Sequence, residues 1–450
     1  MAERSTSYRL TRRQQLGYGL GSFGTGGFGV VPGLLLAFYL TDSLGVAAGL
    51  AGFVVFAPKV WDVVISPIVG RLTDRTLATR GDRRPWLLAG ALVLPLFFAL
   101  TFLVPPGLTG APAALWVAVF FLLAASGYVL FQVPYVTMPT ELTDNPAERT
   151  TITAWRIAFL TVAILLFGVT APMLVQAGGG NRGGYALMGI VLGVGIALGM
   201  FGAWRGTRGI TMVQLGEVSG TVRQQLRAAA GNRPFIMLLA AFILQAVATG
   251  AMLAGAPYLA RYILGSEGLT AVLFGCLVGP ALLVMPIWHK IAGVIGKRNG
   301  FVAATVVFAA GSTGLLAARS LPPVGVYLLV GVVGIGYAGL QLFPLAMLPD
   351  TLAEDSRVTG SSRAGIFTGV WTAGETTGLA LGPFLVVSFV LGLSGYVAST
   401  GDQTVIQPDS AMRAIVWSTS LVPALFALLS IPFVLAHRTP AVLEESEVSA

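Results

Sequence analysis

Cysteine, histidine and charge are scarce in this chain. Its 450 residues include one cysteine, two histidines and 10% charged side chains. The lone Cys276 excludes an internal disulfide and any metal site built on cysteine pairs. His289 and His437 are far apart, and no HExxH-like spacing occurs, so neither a metal nor another bound cofactor is expected. Soluble domains carry about 25% charge, and one soluble core would have divided into smaller domains well before this length. With 55% hydrophobic residues, the apolar side chains must meet something besides protein, and lipid is the candidate. Paired carboxylates for magnesium are lacking too. Glu354–Asp355, expected in a loop, is the only adjacent acidic pair before the C-terminal tail. A membrane enzyme therefore has little to work with. No filter-like loop or ring of charges suggests a channel.

What is present is apolar and long. A spanning helix needs about 20 apolar residues. Twelve segments qualify, near 16–40, 48–70, 86–105, 113–141, 152–176, 184–204, 234–262, 269–289, 300–318, 324–349, 364–392 and 411–436. The first follows a polar, basic leader and is too long for a signal-peptide core, so it reads as an uncleaved span. The basic residues orient the chain. Arg4, Arg9, Arg12 and Arg13, then Arg71 to Arg84, Arg149, Arg205 to Arg233, Lys290 to Arg298, Arg357, Arg363 and Arg438 fall on one side when both termini are cytoplasmic. The other side keeps only Arg182, Arg261, Arg319 and Arg413. The net charge of +8 is thus accounted for by topology, with no nucleic-acid partner. The partners expected are a small-molecule substrate and the lipid bilayer, and a monomer suffices.

The chain repeats itself weakly. "SPIVGRLTDRTLATRGDRRPW" after span 2 resembles "MPIWHKIAGVIGKRNGF" after span 8. "MPTELTDNPAERTTITAWR" after span 4 resembles "LPDTLAEDSRVTGSSR" after span 10. The offset of about 210–220 residues makes two parallel six-span repeats, the pattern of transporters that bind substrate near the midplane. The expected organisation is a bundle over 1–205, a cytoplasmic linker over 206–233 carrying the surface-helix sequence "VRQQLRAAAGNR", and a bundle over 234–450. The fold class is an all-α membrane protein of twelve helices in two pseudo-symmetric halves.

Charges inside spans need a reason, because each costs roughly 2.5–3.5 kcal/mol on insertion scales. Span 2 holds Lys59, Asp62 and Ser66 on one helix face. Asp62 can take a cation or a proton, with Lys59 pairing it when the site is empty; a permanent, merely structural pair is the alternative. Arg156 in span 5 can bind a hydroxyl or carboxylate, or can reach back to the interface. Glu375 and Thr376 in span 11, one turn after Trp371, suit a second proton or substrate site, or a packing carboxyl. Tyr128 with Gln132 in span 4 and Tyr337 with Gln341 in span 10 share i, i+4 spacing and suit a midplane pocket or interhelical packing. The loop 70–84, with Asp74, Arg75, Arg83 and Arg84, reads as a solvated loop or as a cytoplasmic latch. Gly19, Gly21 and Gly24 match a dinucleotide fingerprint in form only, since no strand precedes them.

The segments "YGLGSFG", "LTDSLG", "KVWDVVISPIVGRLTDRT", "RRPWLLAG", "VPYVTMPTELTDNPAERT" and "NRPF" resemble the glycoside–pentoside–hexuronide:cation symporters of the major facilitator superfamily, with looser matches in the C-terminal half. The resemblance implies a multi-pass carrier of the plasma membrane, not an enzyme, that moves a sugar-like or other small organic solute with a cation by alternating access. It places Asp62 at a cation-site aspartate, Lys59 at the basic residue before it and Arg156 at a sugar-site arginine. The chain departs from the family elsewhere. Ser66 stands where the second cation-site carboxylate falls, Val129 where the cation-site threonine falls, and Thr25 and Gly26 where a sugar-binding lysine–aspartate pair falls. Gln132 replaces the fourth-span aspartate and Val136 the stacking tryptophan. The melibiose-type sugar site is therefore not implied. A single carboxylate is poor for sodium, which prefers several oxygens, yet suffices for a proton, so proton coupling is the expectation. An uncoupled or exporting carrier of an amphiphile such as a lysophospholipid is the alternative within transport, and a sensor the alternative outside it.

Overall fold

The computed structural model describes residues 10–143, 145–210, 212, 230–359, 364–401 and 405–437. Among them every regular element is helical, as hydrocarbon requires of an open chain that must satisfy its own backbone hydrogen bonds. Twelve helices are long and apolar enough to cross a membrane. They are α1 (Arg12–Leu36), α2 (Ala48–Arg80), α3 (Arg84–Phe102), α4 (Gly110–Leu142), α5 (Glu148–Ala177) and α6 (Arg182–Gly206), then α7 (Arg233–Ile263), α8 (Leu269–Ile295), α9 (Lys297–Ala317), α10 (Pro323–Asp355), α11 (Phe367–Leu391) and α12 (Asp409–Ala436). The chain forms two compact units. Unit 1 is Met1–Val218 with Ala398–Thr404, and unit 2 is Ser219–Val397 with Val405–Ala450.

Two expected loops are helix instead. The charged stretch 70–84 continues α2 as far as Arg80, and only Gly81, at φ +67°, turns the chain. Arg71, Arg75 and Arg80 are exposed along it, while the hydroxyls of Thr73, Thr76 and Thr79 donate back to carbonyls of the same helix. Likewise Glu354 and Asp355 lie on the helix that runs from Pro323 to Thr359. The linker helix, together with Arg4, Arg9, Arg363 and Arg438, lies outside the described residues.

Each unit is built round its first helix. In α1, 78% of the apolar window is buried, and in α7 67%, against half or less in the other ten. Small residues permit this enclosure. A Cβ on Gly17 would lie 2.8 Å from the backbone of Gly206, so α1 and α6 approach closer than any side chain allows. Local caps define the ends: Thr11 and Gln14 form a capping box on α1, and the Asn181 and Asn232 side chains accept from the first amides of α6 and α7.

The C-terminal ends of α1 and α7 are near copies. Both pass into π-helical turns beside a proline, at Pro32–Leu36 and Tyr39–Ser43 in one, and at Leu259–Ile263 after Pro257 in the other. Proline has no N–H to give the preceding turn, which loosens the register there. Leu44 N–H then donates to Tyr39 O and Val46 N–H to Leu40 O, and Leu264 N–H to Leu259 O and Ser266 N–H to Ala260 O. Gly45 (φ +66°) and Gly265 (φ +82°) supply the left-handed residue at each end. In unit 1 this end is further tied down. Ser399 N–H donates to Thr41 O and its hydroxyl to Asp42 O, while Arg182 donates to the carbonyls of Ser43, Pro106 and Leu108.

Candidate functional site

The polar groups of unit 1 begin on α2. Its buried stripe runs Val55, Pro58, Asp62, Val69, Thr73, Leu77, while Val60, Trp61, Val64 and Ile68 are exposed around the rest. Asp62 therefore points inward, away from the exposed apolar side of its helix. Lys59 Nζ lies 3.7 Å from Asp62 Oδ2. The same ammonium sits over the Phe28 ring of α1, 5.1 Å from its centroid, and over the Tyr128 ring of α4, at 5.8 Å. The rings hold the lysine by cation–π attraction. Both Asp62 oxygens are buried without a hydrogen-bond partner. A carboxylate in that setting costs several kcal/mol unless a positive charge is close, and Lys59 is the charge provided.

Ser66 does not serve the carboxylate: its hydroxyl donates 2.6 Å back to the Asp62 carbonyl, closing a turn of its own helix. Trp61 is engaged elsewhere, donating from Nε1 to Ser126 Oγ.

Tyr128, Gln132 and Tyr135 follow one face of α4 at i, i+4 and i+7. This row connects two cations. Lys59 stands over Tyr128, and the Arg156 guanidinium of α5 over Tyr135, 5.6 Å from its centroid. Tyr135 is itself fixed, stacked on Tyr18 at 4.6 Å and donating to the Tyr18 carbonyl. Ser22 Oγ donates to the Arg156 carbonyl. Gln132 Oε1 and Arg156 Nε are buried without partners. One face of unit 1 thus combines a carboxylate, an ammonium, an amide and a guanidinium with spare hydrogen-bonding capacity.

At the end of α2, the gating candidates divide. Arg83 is 7% exposed and is held by Glu141 at 3.0 Å, Asp74 at 2.5 Å and Thr73 Oγ1 at 3.2 Å. Arg84 pairs with Asp82 at 3.4 Å and donates to the Ile210 carbonyl. Arg75 points to solvent and joins neither group. Glu141, the buried partner of Arg83, was not anticipated from sequence; the acid in "MPTEL", close behind Pro139, was the available signal.

Unit 2 contains a small cavity lined by Phe242, Gln245, Ala246, Thr249, Leu340, Gln341, Glu375 and Leu379. Two of the expected residues, Gln341 and Glu375, reach it. Tyr337 neighbours both without lining it. Trp371 instead stacks flat on Phe242, centroids 4.3 Å apart, with its Nε1 unpartnered, and Thr376 is not in the wall. Gln245 and Thr249 are additions the sequence did not single out.

No group of three or more histidine, cysteine or acidic side chains that could hold a metal occurs among the described residues. The sequence profile of the MFS/sugar transport protein family matches residues 17–440. An uncharacterized symporter of Synechocystis sp., sll1374, is 26% identical, with 95% of this chain and 94% of that one aligned. The glucuronide carrier protein homolog of Escherichia coli is 27% identical, with 94% and 91% aligned. The inward-facing, unoccupied crystal structure of a bacterial homolog of the human lysosomal transporter Spinster superposes with a TM-score of 0.69 over 95% of this chain and 96% of its own, at 14% identity. With its helices, its buried charges and these relatives taken together, the chain belongs to the MFS/sugar transport family, as a glycoside–pentoside–hexuronide:cation symporter of the major facilitator superfamily, and is a multi-pass membrane transporter rather than an enzyme.

Proposed function

We propose that the protein carries a glycoside, hexuronide or similar hydroxyl-rich solute across the plasma membrane together with a proton, by alternating access, with Asp62 as the group that takes up and releases the ion. The single observation that carries this reading is the Asp62 carboxylate, buried with two unbonded oxygens and one lysine ammonium 3.7 Å away. Such a group gains most from a positive charge that can arrive and leave. The proton is preferred over sodium at this position because Ser66, the nearest oxygen donor along the helix, is turned onto the backbone. Gln132 and Arg156 are the substrate groups: one unpartnered acceptor and one unpartnered donor suit hydroxyls or a sugar carboxylate. The glucuronide named for the E. coli relative sets the first compounds to try. Arg83, Glu141 and Asp74 form the closure of unit 1 at its inner end. The working unit is a monomer of two six-helix bundles joined by a linker, with both termini cytoplasmic and no bound cofactor.

Uptake into proteoliposomes, with a panel of glycosides and hexuronides under an imposed proton or sodium gradient, tests the proposal. Accumulation should follow the proton gradient in the wild type. Asp62→Asn should lose accumulation while retaining exchange of substrate across the membrane. Full gradient-driven accumulation by Asp62→Asn, or wild-type uptake indifferent to both gradients, overturns it.

A further inference from the structure

The cavity of unit 2 is lined by a buried acceptor that no donor meets. Gln245, on α7, is 2% exposed. Its Nε2 donates to Thr305 Oγ1 at 3.1 Å and to Ser430 Oγ at 3.2 Å. Both hydroxyls have already committed their only proton, Thr305 to the Phe301 carbonyl and Ser430 to the Ala427 carbonyl. They can therefore only accept from Gln245. This fixes the amide: the NH2 group must face the two hydroxyls, and Oε1 is the atom left over. Oε1 is buried and has no hydrogen-bond partner. Burying an unmet acceptor of this kind is unfavourable, so the arrangement needs an explanation.

Across the same cavity stands Glu375, with Gln341 and Thr249 completing the polar lining. No lysine or arginine lines it, and no ion pair joins Glu375 to any described residue. The contrast with Asp62, which has an ammonium beside it, is direct. The space enclosed is about the size of one water molecule, too small for a sugar ring. A carboxylate, an amide oxygen and a hydroxyl round a water-sized gap form the oxygen set that replaces the hydration shell of a small hard cation.

We infer that unit 2 holds a binding site for one sodium-sized monovalent cation, formed by the Glu375 carboxylate and Gln245 Oε1 with Thr249 and Gln341, separate from the Asp62 site of unit 1. Thr305 and Ser430 are positioning residues in this site: they set which atom of the amide faces the ion. The inference goes beyond the coupling proposed for Asp62 and does not depend on it.

Equilibrium binding of radioactive sodium to the purified, full-length protein, at alkaline pH and without substrate, tests the site. The wild type and Asp62→Asn should bind sodium alike. Glu375→Gln and Gln245→Met should weaken binding at least tenfold. Thermal unfolding of each variant accompanies the measurement, and Thr249→Val, a nearly isosteric change, supplies a third reading should Glu375→Gln fail to fold. Sodium should raise the unfolding midpoint of the wild type and of Asp62→Asn but of neither unit 2 variant. Absence of sodium binding to the wild type overturns the inference, as does unchanged binding in the folded unit 2 variants. Loss of binding in Asp62→Asn alone assigns the ion to unit 1 and equally overturns it. Failure of proton-driven uptake, by contrast, bears on Asp62 and leaves the sodium measurement standing.

Discussion

Each half of the molecule buries a carboxylate in an apolar bundle, and the two solve the resulting problem differently. Unit 1 gives Asp62 a lysine three residues away on the same helix and sets that lysine beside two aromatic rings that touch each other. Unit 2 surrounds Glu375 with neutral oxygens and provides no counter-charge in the cavity. A tethered cation makes the first site self-sufficient when empty, whereas the second is complete only when something comes in. The ion pairs that tie the start of α3 to α4 and the start of α9 to α10 differ in the same sense. Arg83 and Glu141 are both nearly buried, with side chains 8% and 4% exposed, but the corresponding Lys297–Asp350 pair at 2.8 Å leaves 33% and 22% of its side chains in solvent.

The largest effect that would break this comparison is at Arg83. Arg83→Ala leaves Glu141 as an unpaired buried charge, which costs about 3–5 kcal/mol. Lys297→Ala, in its half-solvated setting, should cost only about 1 kcal/mol. Thermal or denaturant unfolding of the two variants in one detergent measures the difference; equal costs would remove the asymmetry between the two pairs. Next is Lys59. Lys59→Met should cost about 2–3 kcal/mol by stranding Asp62, and Asp62→Asn in the same chain should recover most of it. A double-mutant cycle with no coupling would mean that the 3.7 Å pair contributes nothing.

The C-terminal ends of α1 and α7 allow a finer test. Gly45→Ala and Gly265→Ala each place a side chain at positive φ, at about 1–2 kcal/mol. The Gly45 variant should be the worse, because its Cβ would come within 3.2 Å of Thr400 Cγ2 while Gly265 has open space. Equal midpoints for the two would show that the neighbourhood of Thr400 yields freely.

The smallest effect expected is a pH dependence from His437. Its ring nitrogen lies 3.1 Å from the Pro234 carbonyl. Burial is the main cause that pushes its pKa below the ordinary 6.5, with Arg298 adding to the shift and the Pro234 carbonyl and Asp350 opposing it. The folded state thus favours the neutral ring. The associated stability is fully present above about pH 6.5 and is lost as pH falls through the lower folded value. His437→Asn should flatten unfolding midpoints between about pH 5 and 7, and an unchanged slope would assign the dependence to other groups.

The twelve spans were legible because hydrocarbon imposes long apolar runs on any sequence that crosses it. Helix limits were less so. The expected loop over 70–84 was read from Asp74, Arg75, Arg83 and Arg84, yet charge marks the edge of the membrane rather than the edge of a helix, and Gly81 ends α2 instead. Asp62 and Lys59 stood out because charge in an apolar run is costly. Phe28 and Gln245 did not, because a phenylalanine or a single amide is ordinary in a span. Their roles come from partners distant in sequence: Gln245 is oriented by residues 60 and 185 positions away. The Ser66 hydroxyl was expected beside Asp62 as a cation ligand, but it has a nearer acceptor in its own backbone.

Lys59, beside the Phe28 and Tyr128 rings, has a consequence for the return stroke of a carrier. If Asp62 carries the co-transported ion, as proposed, the departing ion leaves no naked anion behind, because Lys59 travels with the same helix and is 3.7 Å away. The reset of the unloaded protein then need not wait for a new ion. Transport rates with saturating substrate outside and little driving ion should therefore depend on how firmly those two rings grip the ammonium.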